Sequence, residues 1–166
     1  RAGNVILLSD IAEEIGSDAL RFVFLTKKSD THLEFDLDRL KNQDSSNPVF
    51  YINYAHARIN QVFKKAELDM NSVVNNKLDN LNEDAISLVY ESLLLQSILE
   101  EAFSKRDMQK ITDYLYSLAA SMHKYYNEYK IVGSENQDSI LKVLSMVSLS
   151  LRTGLKLLGI TAKETM

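Results

Sequence analysis

The 166-residue chain contains no cysteine and no tryptophan, a single proline and five glycines. Without cysteine there is no disulfide framework, no thiolate metal site and no cysteine nucleophile, and a reducing compartment is compatible with the chain. With so few helix breakers, the composition favours long helices. No run approaches the roughly 18 consecutive apolar residues of a membrane-spanning helix, and no cationic segment followed by an apolar stretch opens the chain as a secretion signal would. There is no Gly-rich phosphate loop, no nucleophile elbow and no paired carboxylates in an obvious catalytic setting. His32, His56 and His123 lack the i, i+4 partners of a helical metal site. No internal repeat and no low-complexity tract stands out.

What is present is an ordinary globular composition, 45% apolar and 25% charged, long enough for one domain with a real core. The net charge of −4 argues against indiscriminate binding of polyanions. It hides an asymmetry. Residues 1–103 carry 10 basic and 17 acidic side chains, a balance of −7, whereas residues 104–166 carry 9 and 6, a balance of +3.

Helix signals divide the chain. Ser9 can cap a short helix to Ile15, ended by Gly16, and Ser17 can cap a second from Asp18 to about Lys28. Within it Phe22–Leu25 also fits a buried strand, the weaker reading beside those caps. Leu33–Leu40 fits either a short helix or an extended segment. Asn47-Pro48 is a strong start, an N-cap followed by proline where its missing N–H is harmless, and the helix should reach about Glu67. Residues 69–82, with five asparagines, read as a loop and hinge. Asn82 and Asp107 then cap helices to about Ser104 and Tyr129, and a last helix runs from about Gln137 to Leu158, ended by Gly159. Stripes such as Ile86/Val89/Leu93 and Ile111/Leu115/Leu118/Met122 need partners, so the predicted fold is an all-α helical bundle of about five to six helices.

At 100° per residue, residues 48–67 gather Ile52, Ala55, Ile59, Val62, Phe63 and Ala66 on a core side. A neighbouring side collects Tyr51, Tyr54, Arg58, Gln61 and Lys65. These side chains suit single-stranded RNA, whose unpaired bases stack on tyrosine rings or the guanidinium plane while cations hold phosphates. The plain alternative is two tyrosines half-buried at a helix boundary with Arg58 paired to a carboxylate. His56, at the margin of the apolar stripe, reads as a hydrogen-bonded core histidine rather than a catalyst. Tyr114, Tyr116, Tyr125, Tyr126 and Tyr129 make the segment after Asp107 rich in tyrosine, suited to core packing or to an aromatic-basic surface.

Several motifs add to this. Asp18-Ala19-Leu20-Arg21 spells the signature after which the DALR anticodon-binding domains of a class of tRNA synthetases are named. Asn47-Pro48-Val49-Phe50-Tyr51-Ile52-Asn53-Tyr54-Ala55-His56-Ala57-Arg58-Ile59 resembles the NPVYYVQYAHARI block of arginyl-tRNA synthetases. Leu33–Asp38 is similar to that family's LDFDLD segment, Gly154–Ile160 to its GLxLLGI segment, and Arg1–Val5 to the tail of its class I signature loop. The string Tyr54–Arg58 favours the arginyl family over the cysteinyl and methionyl enzymes with related bundles.

The resemblance implies a class I synthetase anticodon-binding bundle over residues 34–166, preceded by a connector, residues 1–33, that carries the DALR helix. It implies that the chain is a fragment of an arginine–tRNA ligase without its catalytic domain. The fragment then has no catalytic residues, no metal and no cofactor of its own. Arginine, and ATP with magnesium, would be handled by the full-length enzyme. The implied partner is tRNA-Arg, with no membrane, a monomeric state and a cytoplasmic location. Tyr51, Tyr54, His56, Arg58, Tyr126, Asn127 and the terminal Met166 are the implied tRNA-binding residues. Two departures, Tyr125 where the family's FYN segment has phenylalanine and Lys163 where it often has proline, bear on which ring stacks. A reading from another class is a structural bundle whose tyrosine-rich faces meet a protein partner or a second copy.

Overall fold

The computed structural model describes residues 7–28, 31–34 and 36–166; the Arg1–Val5 motif and Phe35 of the Leu33–Asp38 segment lie outside them. The described residues are helical and loop, without a strand. In chain order the helices are α1 (Leu8–Ile15), α2 (Ser17–Leu25), α3 (Leu37–Lys41), α4 (Pro48–Ala66), α5 (Glu83–Leu93), α6 (Leu95–Lys105), α7 (Gln109–Glu128) and α8 (Gln137–Leu157), with a 3₁₀ turn at Met70–Val73. The all-α bundle is as expected, but the number of helices is higher, because α3 forms and the segment after Asn82 divides in two.

That division has a tertiary cause. No proline or glycine occurs near Leu94. The Tyr114 hydroxyl of α7 donates to the Glu91 carbonyl at 3.0 Å, and the Ser150 hydroxyl of α8 donates to the Ser92 carbonyl at 3.0 Å. Two carbonyls at the end of α5 thus find partners outside their own helix, which removes the penalty for interrupting it.

Other starts and stops follow local chemistry. The Asn47 side chain accepts from the amides of Val49 and Phe50, with Pro48 at the first helical position. Asp36 and Asn82 cap α3 and α5 in the same way. Ser9, expected as a cap, lies inside the first turn of α1. α2 follows Gly16 directly, so Ser17 is its first residue, and it stops at Leu25 instead of Lys28. There the Thr26 hydroxyl donates back to the Val23 carbonyl at 2.7 Å, and Phe22–Leu25 is helix, not strand.

The core is built where α4, α7 and α8 meet, with Ile52, Ile59, Leu115, Leu118, Leu144 and Leu151 fully buried. α8 returns antiparallel to α7 after a short loop. Gly154 lies where the two approach so closely that an added Cβ would stand 2.6 Å from Leu115 Cδ2. The chain then turns at Gly159, whose φ of +70° suits glycine, with Ile160 N–H bonded to the Leu155 carbonyl and Gly159 N–H to that of Lys156. This turn sends residues 160–166 back across α2 and α4. From α2, Phe22 is 2% exposed within the main core.

Candidate RNA-contact groove

α4 and α7 run side by side in the same direction, since Tyr51 meets Tyr116 and, further along both helices, Arg58 meets Asn127. Along this seam lies an open groove of about 830 Å³, lined by residues of α4, α7, the loop at 43–45 and the chain terminus. On α4, Tyr51, Tyr54 and Arg58 fall three and four residues apart and share a helical face. On α7, Tyr116, His123 and Asn127 form the facing stripe at spacings of seven and four.

Arg58 is the centre of the site. Its guanidinium carbon lies 4.4 Å from the Tyr54 ring centroid and 4.7 Å from that of Tyr126, so the cation is held between two aromatic rings. One guanidinium nitrogen donates to Asn127 Oδ1 at 3.3 Å and lies 3.3 Å from His123 Nδ1. Among the described residues Arg58 forms no ion pair. The expected carboxylate partner is replaced by rings and neutral acceptors, which leaves the positive charge uncompensated.

His123 holds this arrangement through both ring nitrogens. Nε2 lies 3.1 Å from the Tyr51 carbonyl, which can only accept, so Nε2 carries the proton and Nδ1 is free to accept from Arg58. Burial holds the His123 pKa below its ordinary value; the Tyr51 carbonyl opposes this, and the Arg58 charge adds to it. The neutral ring packs between Tyr51 and Tyr54, with centroids 4.5 and 5.4 Å away. Phe50 stacks on Tyr54 at 5.9 Å and Tyr116 on Tyr51 at 5.1 Å, extending the aromatic row. Burial, with help from Tyr116, raises the pKa of the Tyr51 hydroxyl.

The structure brings Tyr51, Tyr54, Arg58, Tyr126 and Asn127 together, with Met166, 43% exposed, at the groove's edge. His56 is different. Included in the matching block by resemblance, and read from the wheel as a core histidine, it is 3% exposed. Its Nδ1 donates to the Lys163 carbonyl at 2.9 Å, while the Asn53 side chain accepts from the Lys163 amide at 2.8 Å. His56 and Asn53 therefore grip one residue of the tail, and Asp18 accepts from the Thr161 amide at 3.1 Å. These contacts set where Met166 lies. Gln61 and Lys65, on the same wheel sector, are exposed and outside the groove lining.

Sequence reasoning missed His123, Phe50 and the grip on Lys163. The stripe Tyr116/His123/Asn127 was a usable signal, being one face of α7 opposite the marked face of α4. The tyrosine-rich segment resolves mostly into packing: Tyr114 and Tyr125 are buried, Tyr126 and Tyr129 half-buried, and Tyr116 exposed. Tyr114, enclosed and bonded to a carbonyl, has its pKa pushed up to about 12, chiefly by burial.

No group of three His, Asp or Glu side chains able to hold a metal occurs among the described residues, and no helix there is long and apolar enough to cross a membrane. The described residues thus form a helical bundle that holds one cation, without an ion pair among them, between two half-buried rings. The chain belongs to the DALR anticodon binding domain family, whose model matches residues 52–166. It is 70% identical over all 166 residues to the arginine–tRNA ligase of Aliarcobacter butzleri and 58% identical to that of Campylobacter curvus, and covers 31% of each. A solved arginyl-tRNA synthetase structure from Campylobacter jejuni superimposes on the whole chain at a TM-score of 0.94 and 55% identity, with 37% of that chain covered. The arginyl-tRNA synthetase of Thermus thermophilus, at 24% identity and a TM-score of 0.78 over 98% of this chain and 28% of its own, shares the fold. The chain thus spans about a third of the length of the curated relatives it matches.

Proposed function

We propose that this chain is the anticodon-binding part of an arginine–tRNA ligase, and that the α4/α7 groove receives unpaired bases of the anticodon loop of tRNA-Arg. The observation that carries the proposal is Arg58 held between Tyr54 and Tyr126 at the mouth of an open groove. A guanidinium already at stacking distance from two rings marks the spacing at which a flat base can be taken up, and each stacked base is worth roughly 1–3 kcal/mol. In this reading Tyr54 and Tyr126 stack, Arg58 supplies a stacking plane and a charge for phosphate, and Asn127 meets base edges. Tyr51 and His123 hold the rings and the cation in place. His56 acts one step removed, by placing the tail whose Met166 borders the loop.

The same reading makes residues 1–33 the connector and 34–166 the binding bundle. Arginine, and ATP with magnesium, belong to a catalytic domain of the full-length ligase, which works in the cytoplasm as a monomer. The relatives' names support the ligase assignment. Filter binding of the chain to tRNA-Arg and to a non-cognate tRNA tests it. Tyr54→Ala should weaken tRNA-Arg binding by about 5- to 150-fold, the loss of one stacking surface worth roughly 1–3 kcal/mol. No binding of the unaltered chain at low salt refutes the proposal.

A further inference from the structure

A second cationic site lies away from the groove. The C-terminal end of α2 and the turn between α6 and α7 enclose a recess of about 570 Å³ whose wall carries Lys27, Lys28, Lys105 and Arg106. Among the described residues one carboxylate shares it, Asp107, and that side chain accepts from the Gln109 amide at 3.2 Å. Lys105 is paired with Glu101. Lys27, Lys28 and Arg106 are exposed and form no ion pair among the described residues. In a chain of net charge −4, three cations around one recess with no ion pair among the described residues are out of keeping with the average surface.

Helix-end electrostatics account for part of this placement: Lys27 and Lys28 follow the last turn of α2 and Arg106 is the C-cap of α6, where a cation gains about 0.3–1 kcal/mol from the dipole. That gain does not require the three to gather around one recess. Arg106 occupies the left-handed position after α6, with φ of 52°, a site where glycine is cheaper by about 1 kcal/mol.

Their place relative to the groove suggests a role. The recess sits where α7 begins, and the groove stripe of Tyr116, His123 and Asn127 lies further along the same helix. At 1.5 Å per residue, Tyr116 is about 12 Å and Asn127 about 28 Å from Met108. At roughly 3 Å per base pair that is on the order of four to nine pairs of a nucleic-acid helix. The other end of α2 lies beside the tail that borders the groove, through Asp18 and Thr161.

We infer that Lys27, Lys28 and Arg106 form a second RNA contact, one that holds backbone phosphates of the paired stem leading into a loop seated in the groove. The inference rests on the RNA-binding reading of the groove and adds to it a site that reads charge and not sequence. Each phosphate neutralised contributes about 0.7–0.9 to the slope of log affinity against log salt, so three contacts contribute about 2–3.

The test measures the full chain and a Lys27→Gln/Lys28→Gln/Arg106→Gln variant by fluorescence anisotropy across a salt series. The two probes are an anticodon stem–loop hairpin of tRNA-Arg and a single strand with only the loop sequence. The expected result is an affinity for the hairpin about tenfold lower at low salt and a slope shallower by about 2–3, with the single strand unaffected. Lys27→Arg/Lys28→Arg/Arg106→Lys should restore hairpin binding, and circular dichroism melts should match. An unchanged hairpin affinity, or an equal loss for both probes, overturns the inference. If Tyr54→Ala still weakens binding of both probes in that case, the groove reading stands; if the unaltered chain binds neither probe, both fall.

Discussion

Asn53 offers the sharpest test of how the tail is placed. It is 1% exposed on α4, and its side-chain oxygen accepts the Lys163 amide at 2.8 Å while His56, one turn away, donates to the Lys163 carbonyl at 2.9 Å. Replacing Asn53 with leucine, of similar size, removes the acceptor of this part-buried bond, while Lys163 itself is exposed. Losing such a bond costs about 0.5–1.5 kcal/mol. If the remaining bonds at His56 and Asp18 hold the tail, the cost appears as stability. For a domain of this size it lowers Tm by roughly 2–4 °C per kcal/mol, so a fall of about 1–6 °C is expected. If they do not hold, the tail detaches and escapes most of that penalty by hydrating, but the Lys163 amide then exchanges with solvent much faster. Hydrogen exchange at Lys163 together with a thermal melt covers both cases. An unchanged Tm with unchanged protection refutes the grip as described. If the tail detaches, the RNA binding proposed for the groove should also weaken, because Lys163, Thr165 and Met166 line it.

Other consequences are equally open to measurement. His123 is neutral in the fold and its pKa is held below that of the unfolded chain, so the unfolded state takes up the proton first as pH falls. Stability contributed by His123 is therefore complete above about pH 6.5 and is lost as pH falls through the folded pKa, at no more than about 1.4 kcal/mol per pH unit. His123→Phe should flatten the stability profile between about pH 5 and 7, followed by urea titration; an unaltered profile counts against the assigned tautomer and its partners. Gly154→Ala should destabilise by about 1–2 kcal/mol. Overpacking against the buried Leu115 costs about 1–3 kcal/mol, and the gain in helix propensity returns about 1 at most. A rise in stability, as propensity alone requires, would show that α7 and α8 are not in such close contact there.

The sequence by itself determined the fold class, the ends of the long helices and the family. Asn47-Pro48 and Asn82 act through bonds to amides two or three residues away, and apolar spacing along α4, α7 and α8 selects the buried face, so these features are written locally. The candidate face of α4 was legible for the same reason: Tyr51, Tyr54 and Arg58 share one helical sector whatever they pack against. What only the tertiary structure decided are the features made by residues distant in the chain. The interruption at Leu94 depends on hydroxyls from Tyr114 and Ser150, not on any breaker in its own segment. Arg58 finds His123, Tyr126 and Asn127 in place of a carboxylate because α7 lies parallel to α4. His56, one letter of a motif it shares with Tyr54 and Arg58, turns inward to hold Lys163 across 107 residues of sequence. A helical periodicity specifies which way a side chain points from its own axis; which partner waits there is settled only when the helices pack.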